Sequence, residues 1–164
     1  MTTAALVYRS DWASGKKPMP TPTGPEVVNV LTSIALTSAQ VDALAANDIV
    51  VMGYLPEDCA FVGGICAMTA GIDTGSGFDL DFGIVNDGET DLGTELKNSP
   101  LVDSGTTSLY VLGDQSNMTE AMLLLNTDGK TRKKLGYKVA TAATTPAAGT
   151  LYLSLSYRAV SFGA

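Results

Sequence analysis

The sequence predicts an all-β fold, an antiparallel β-sandwich or jelly roll of about eight strands with at most one short helix. Three observations carry that expectation. Apolar residues recur at every second position in several segments, Asn/Asp-Gly turns follow apolar strands directly, and helical periodicity is nearly absent.

The chain changes character near residue 26. Residues 1–26 carry Pro18, Pro20, Pro22 and Pro25, the Lys16 and Lys17 pair and the only tryptophan, Trp12. Closely spaced prolines forbid helix and remove the N–H groups that a central strand donates, so this segment is expected to be an extended, largely unpaired arm. Residues 27–164 then form the sandwich body. The Pro-rich spacer from Pro18 to Pro25 is stiff and lengthens reach, so the arm is expected to contact another chain, the alternative being that it folds back onto its own sandwich. Tyr8 and Trp12 are its natural anchors, because large aromatics bury much area at modest entropic cost.

Within the body, the first candidate strand is Val27 to Leu36. A Ser/Thr start and alanine-rich content over Thr37 to Ala46 predict one short turn of helix. Ile49 to Leu55 and Ala60 to Ala67 are the next strands. Phe78, Leu80, Phe82 and Ile84 alternate with Asp79, Asp81 and Gly83, giving a strand with one apolar and one wet face. Leu109 to Leu112 and Met122 to Leu125 are short candidates. Leu135, Tyr137 and Val139 alternate with Gly136, Lys138 and Ala140, as Leu151, Leu153, Leu155 and Tyr157 do with Tyr152, Ser154, Ser156 and Arg158. Asn86-Asp87-Gly88 and Asn126-Thr127-Asp128-Gly129 read as tight hairpin turns, with Asn/Asp-Gly supplying the positive φ values. Ala140 to Ala148, with Pro146 and then Gly149, reads as a loop.

Composition bounds the function. At 164 residues and 45% hydrophobic, the chain suits one domain with a real core. A net charge of −7 argues against a nucleic-acid partner, since phosphate affinity comes from Lys and Arg. No apolar run approaches the roughly 20 residues of a membrane span, and no export signal is visible. Cys59 and Cys66 stand seven positions apart, so on one strand they face opposite ways and are expected to be two buried thiols.

Chemistry has little to work with. There is no histidine, which removes the commonest general base and every Ser-His or Cys-His dyad. The acids Asp73, Asp79, Asp81, Asp87, Glu89, Asp91 and Glu95 read as a solvated strand face and turns rather than a glycosidase pair, and their spacing fails the EF-hand register. Gly71, Gly75 and Gly77 lack the Gly-Lys-Ser/Thr of a phosphate cradle and read as a loop. The Asn117-Met118-Thr119 sequon reads as a loop, and Ser14 and Ser76 have no base nearby. No catalytic residue, metal or cofactor is assigned.

Charge is segregated along the chain. From Asp73 to Glu120 there are ten acids and one base, Lys97, whereas Lys130, Arg132, Lys133, Lys134 and Lys138 form a basic cluster. The pattern suits an oriented contact with a partner or a second copy, or else marks two solvated loops. Candidate partner-binding residues are therefore Tyr8, Trp12, Lys16, Lys17, Pro18, Pro20, Pro22, Lys130, Arg132, Lys133 and Lys134.

Three stretches add a resemblance: A-L-A-A-N-D-I-V-V-M-G-Y-L-P-E-D-C (Ala43 to Cys59), G-I-D-T-G-S-G-F-D-L-D-F-G-I-V-N-D-G-E-T-D-L (Gly71 to Leu92) and A-G-T-L-Y-L-S-L-S-Y-R (Ala148 to Arg158). Together they resemble small structural proteins encoded beside the major capsid protein in tailed bacteriophages, the capsid decoration or cement proteins. The resemblance implies a jelly-roll body without catalytic residues, made in the host bacterial cytoplasm. It further implies binding as a homodimer or homotrimer to the major capsid protein on the outer surface of an icosahedral shell, where it staples neighbouring capsomers. A head-fibre base or other virion β-sandwich, or a carbohydrate-binding domain, are the alternatives.

Overall fold

The computed structural model describes residues 6–22, 26–61, 66–75, 77–97, 108–111 and 133–159. Ten strands and one helix lie among them. In chain order these are β1 (Val7–Arg9), β2 (Val28–Leu36), α1 (Ser38–Asp42), β3 (Ile49–Leu55), β4 (Cys59–Phe61) and β5 (Cys66–Ala70), then β6 (Asp79–Val85), β7 (Leu92–Lys97), β8 (Ser108–Val111), β9 (Lys133–Thr141) and β10 (Gly149–Ala159). Expected strands meet observed ones closely, with two differences. The stretch Ala60 to Ala67, which reads as one strand in the sequence, is two, β4 and β5, and β1 and β7 carry no strand signal in the sequence. Met122 to Leu125, and the turn at Asn126 to Gly129, lie outside the described residues.

The strands form two sheets. The first runs β1-β3-β9-β6-β7 and the second β2-β10-β5-β8, with β4 also paired to β10. Both β4 and β5 lie along β10, through Tyr157 to Ala159 and through Thr150 to Ser154 respectively. Setting β1 aside, the orders 3-9-6-7 and 2-10-5-8 describe a jelly roll, in which the chain passes repeatedly between two facing antiparallel sheets.

Alternation explains the core. Leu80 and Phe82 of β6, Leu135, Tyr137 and Val139 of β9, and Leu151, Leu153, Leu155 and Tyr157 of β10 all point inward and are buried. Each such side chain contributes roughly 1.5–3 kcal/mol by leaving water. The Phe82 and Tyr137 rings meet at 5.4 Å with planes tilted by 56°. The Tyr137 hydroxyl crosses to the other sheet and donates to the Tyr152 carbonyl at 2.6 Å.

The helix forms for local reasons. Thr37 caps it, accepting from the Gln40 N–H at 3.3 Å, while the Gln40 side chain accepts from the Thr37 N–H at 2.9 Å. This reciprocal capping box holds only one short turn, whose buried residue is Val41. No helix among the described residues is long and apolar enough to cross a membrane.

Strand β3 departs from alternation: Ile49, Val50, Val51 and Met52 are all buried. Val50 and Met52 face the main core, whereas Ile49 and Val51 join Val85 and Leu92 in a second apolar cluster, against which Val7 and Ala13 pack. A strand buried on both faces needs a cover on its outer side. The N-terminal segment is part of that cover.

Candidate interaction surface

The segment expected to be an unpaired arm is built into its own body. β1 adds to the first sheet as a parallel strand, with Val7, Tyr8 and Arg9 opposite Ile49, Val50 and Val51. Backbone bonds from Ile49 N–H to Leu6 and from Ser10 N–H to Val51 extend the pairing at 3.1 and 3.0 Å. Residues 11–17 then coil through local turns, including Ser14 N–H to Ser10 O at 2.9 Å. This coil carries Trp12 into the main core at 8% exposure, and Met19 follows at 8%.

A register shift between Val51 and Gly53 supplies a second fastening. The bulge frees the Met52 carbonyl, which accepts from the buried hydroxyls of Ser10 and Thr32. At the far end of the arm, the Tyr157 hydroxyl donates to the Pro20 carbonyl. Burial raises the Tyr157 hydroxyl above its ordinary value, with Cys59 and Tyr54 adding to the effect, so it stays a donor. The arm therefore lies on its own sandwich, and Trp12 is a core residue of its own chain rather than an exposed anchor. The physical reason is β3, whose apolar outer face the arm covers.

Among the described residues, part of the charge segregated along the chain is brought together in space. Because β9 pairs with β6, its lysines stand beside the acidic β6–β7 turn. Glu89 takes an ion pair from Arg9 and another from Lys134 at 3.0 Å, and Lys138 meets Asp91 at 2.7 Å. Lys134 Nζ also donates to the Asp87 carbonyl at 3.2 Å. Burial alone pushes the Glu89 carboxyl up, but Lys134 and Arg9 outweigh it and hold the group below its ordinary range. The Lys138 ammonium, with the Leu92 N–H, lowers Asp91 likewise. In the turn itself, the residue with positive φ is Glu89, at 54°, not Gly88.

One acid expected on a wet surface is buried. Asp73 is 1% exposed and accepts from the N–H groups of Gly75 and Thr145 at 2.9 Å and Thr144 at 3.2 Å. Burial pushes its carboxyl up, and these donors more than reverse that, so it lies below the ordinary value. Asp73 thus knots the loop before β6 to the loop between β9 and β10. Cys59 is a buried free thiol, raised by burial and by the neighbouring Asp58.

The other candidate residues divide by exposure. Tyr8 is half-buried against the main core, and Pro22 is buried. Lys16 and Lys17 are exposed; Lys16 lies 3.8 Å from Asp11, and Lys17 Nζ sits 4.5 Å from the centre of the Trp12 ring. Pro18 and Pro20 are exposed, and Lys133 is partly so. Lys130 and Arg132 lie outside the described residues. Pro18, Met19 and Thr21 form one wall of a groove of about 440 Å³, with Tyr54, Pro56, Glu57 and Asp58 as the other. Among the described residues no three His, Cys, Asp or Glu side chains converge as metal ligands. Arg9, Ser10 and Tyr157, which fasten the arm, were not singled out from the sequence.

Neither a protein family nor a curated protein sequence matches the chain. Among solved structures, a chain in the capsid of Ralstonia phage GP4 aligns over 96% of this chain and 100% of its own length, with a TM-score of 0.71 and 25% identity. This chain is similar to a phage capsid chain from end to end. The uncovered 4% is shorter than the arm, so the likeness takes in arm residues as well as the body. A chain of the cyanophage Pam1 capsid asymmetric unit aligns over 87% of this chain and 94% of its own, at 17% identity and a TM-score of 0.49.

Proposed function

We propose that this protein is a non-enzymatic virion component that decorates the outer surface of an icosahedral phage shell and cements neighbouring capsomers of the major capsid protein. The observation that carries the reading is the end-to-end likeness to a chain of the Ralstonia phage GP4 capsid. Two physical features support it. With no histidine in the chain, and with Asp73 committed to a loop knot and Glu89 and Asp91 to ion pairs, the residues favour a structural role over catalysis. The arm closes onto its own sheet, which yields a self-contained block suited to being added to a finished shell.

Reinforcement of a shell needs many modest contacts acting together, so avidity rather than one deep pocket sets the strength of attachment. The exposed Lys16, Lys17, Pro18 and Pro20 and the partly exposed Lys133 are the described residues offered for that contact. Co-sedimentation of the purified protein with parent shells lacking it tests the reading. Saturable binding is expected, weakened by Lys16→Glu combined with Lys17→Glu; absence of binding to intact shells would overturn it.

A further inference from the structure

The strands of the two sheets differ sharply in charge. The first sheet carries Arg9, Asp79, Asp81, Glu95, Lys97, Lys133, Lys134 and Lys138 in its strands. In the second, β2, β4, β5 and β8 contain no charged residue, and β10 contains only Arg158. The chain as a whole carries −7, so two copies repel except where they meet through a neutral surface.

Among the described residues, nothing guards the edge of that neutral sheet. β2 pairs only with β10 among the described residues, which leaves its other side as an edge of nine residues, Val28–Leu36. Natural edge strands are protected by lysine, proline, bulges or short length, and β2 has none of these. By contrast, the edges of the first sheet are the three-residue β1, bearing Arg9, and β7, bearing Glu95 and Lys97. β2 also presents the most exposed large apolar side chain among the described residues, Leu31 at 65%, with Val27 at 45% just before it. Asn29, Ser33 and Ala35 share the outward face with Leu31 and are exposed.

We propose that β2 is a homodimer edge, at which a second copy of this chain adds its own β2 in antiparallel register about a two-fold axis. With Leu31 of one copy opposite Leu31 of the other, Asn29 stands opposite Ser33 and Val27 opposite Ala35. Leu31 of each copy thereby gains the other as a cross-strand apolar neighbour, Val27 gains Ala35, and the two neutral sheets become one continuous sheet. A second copy is the occupant because the strand is self-complementary and uncharged, so two bodies of like net charge meet there without opposing charges of the same sign. The isologous pairing closes after two copies, so it ends in a dimer rather than a fibre. It stands apart from attachment to a shell, since it concerns the purified protein alone.

Sedimentation of the full-length protein up to about 100 µM is the test, the range in which a modest interface is populated. A dimer is expected, and Leu31→Lys is expected to weaken it about tenfold or more by placing like charges opposite each other, with the circular dichroism unchanged. Mild oxidation of Leu31→Cys should give a covalent dimer beyond any seen in the unsubstituted protein, and Ala35→Cys should not. A monomer, a trimer, a Leu31→Lys dimer of undiminished strength, or faster cross-linking through Ala35→Cys would each overturn the proposal.

Discussion

The hydroxyl of Tyr157, in the last strand, donates to the carbonyl of Pro20, 137 positions earlier, and so ties the Pro-rich segment to the sandwich. The ring of Tyr157 is fully buried while Pro20 is exposed, so the bond joins core to surface. Tyr157→Phe keeps the ring and removes the bond. A loss of about 1 kcal/mol is expected, measured by urea unfolding, together with faster hydrogen exchange in residues 10–22.

Removing the arm is expected to damage the body. Deletion of residues 1–22 takes away β1, withdraws Trp12 and Met19 from the core, and bares Ile49 and Val51. Trp12→Ala alone should cost about 3–5 kcal/mol, the range for truncating a buried large aromatic. Thermal unfolding checks both. A truncated chain that melted at the temperature of the full chain would contradict the placement of the arm.

The ion pairs at the β6–β7 turn predict an acid-side loss of stability. Glu89, Asp91 and Asp73 all lie below their ordinary values in the fold. The stability they contribute is complete above the ordinary carboxylate value of about 4 and is lost as pH falls through their lower folded values. Glu89→Gln should therefore destabilise the protein by up to about 1 kcal/mol at pH 7. The gap from the unsubstituted protein should narrow in the acid range. Urea midpoints measured as a function of pH give the comparison.

Gly136 sits where three strands crowd together. It pairs with Val51 on one side and Gly83 on the other, and a Cβ there would lie 2.5 Å from the Val50 carbonyl oxygen and 2.9 Å from a Val85 methyl. The nearest obstacle is backbone, which cannot swing aside. Gly136→Ala is expected to cost about 1–3 kcal/mol, the range for overpacking, whereas Gly15→Ala meets no neighbour and pays only for its φ of 75°. Paired melting curves of the two variants separate the effects.

The body was legible because its strands alternate. Phe78 to Ile84 and Leu151 to Tyr157 announce their inward faces, and the capping residues Thr37 and Gln40 mark the helix start. The seating of the N-terminal segment is not legible in that segment's own sequence, because its prolines, Pro18 onward, read as an unpaired arm and Val7–Arg9 is too short to show a period. The missed signal lay in β3: Ile49-Val50-Val51-Met52 does not alternate, and a strand apolar on both faces requires a cover. The ion pairs are illegible along the chain for a related reason. Lys134 and Lys138 are far from Glu89 and Asp91 along the chain and become neighbours only through the pairing of β9 with β6.

Cryo-electron microscopy of the parent particle, at a resolution that traces side chains, tests the central claim most directly. The account predicts this sandwich on the outer face of the shell, touching more than one capsomer, with Trp12 inside its own core and Lys16 and Lys17 toward a neighbour. Density for the chain on the inner face, or a particle without it, would contradict the account.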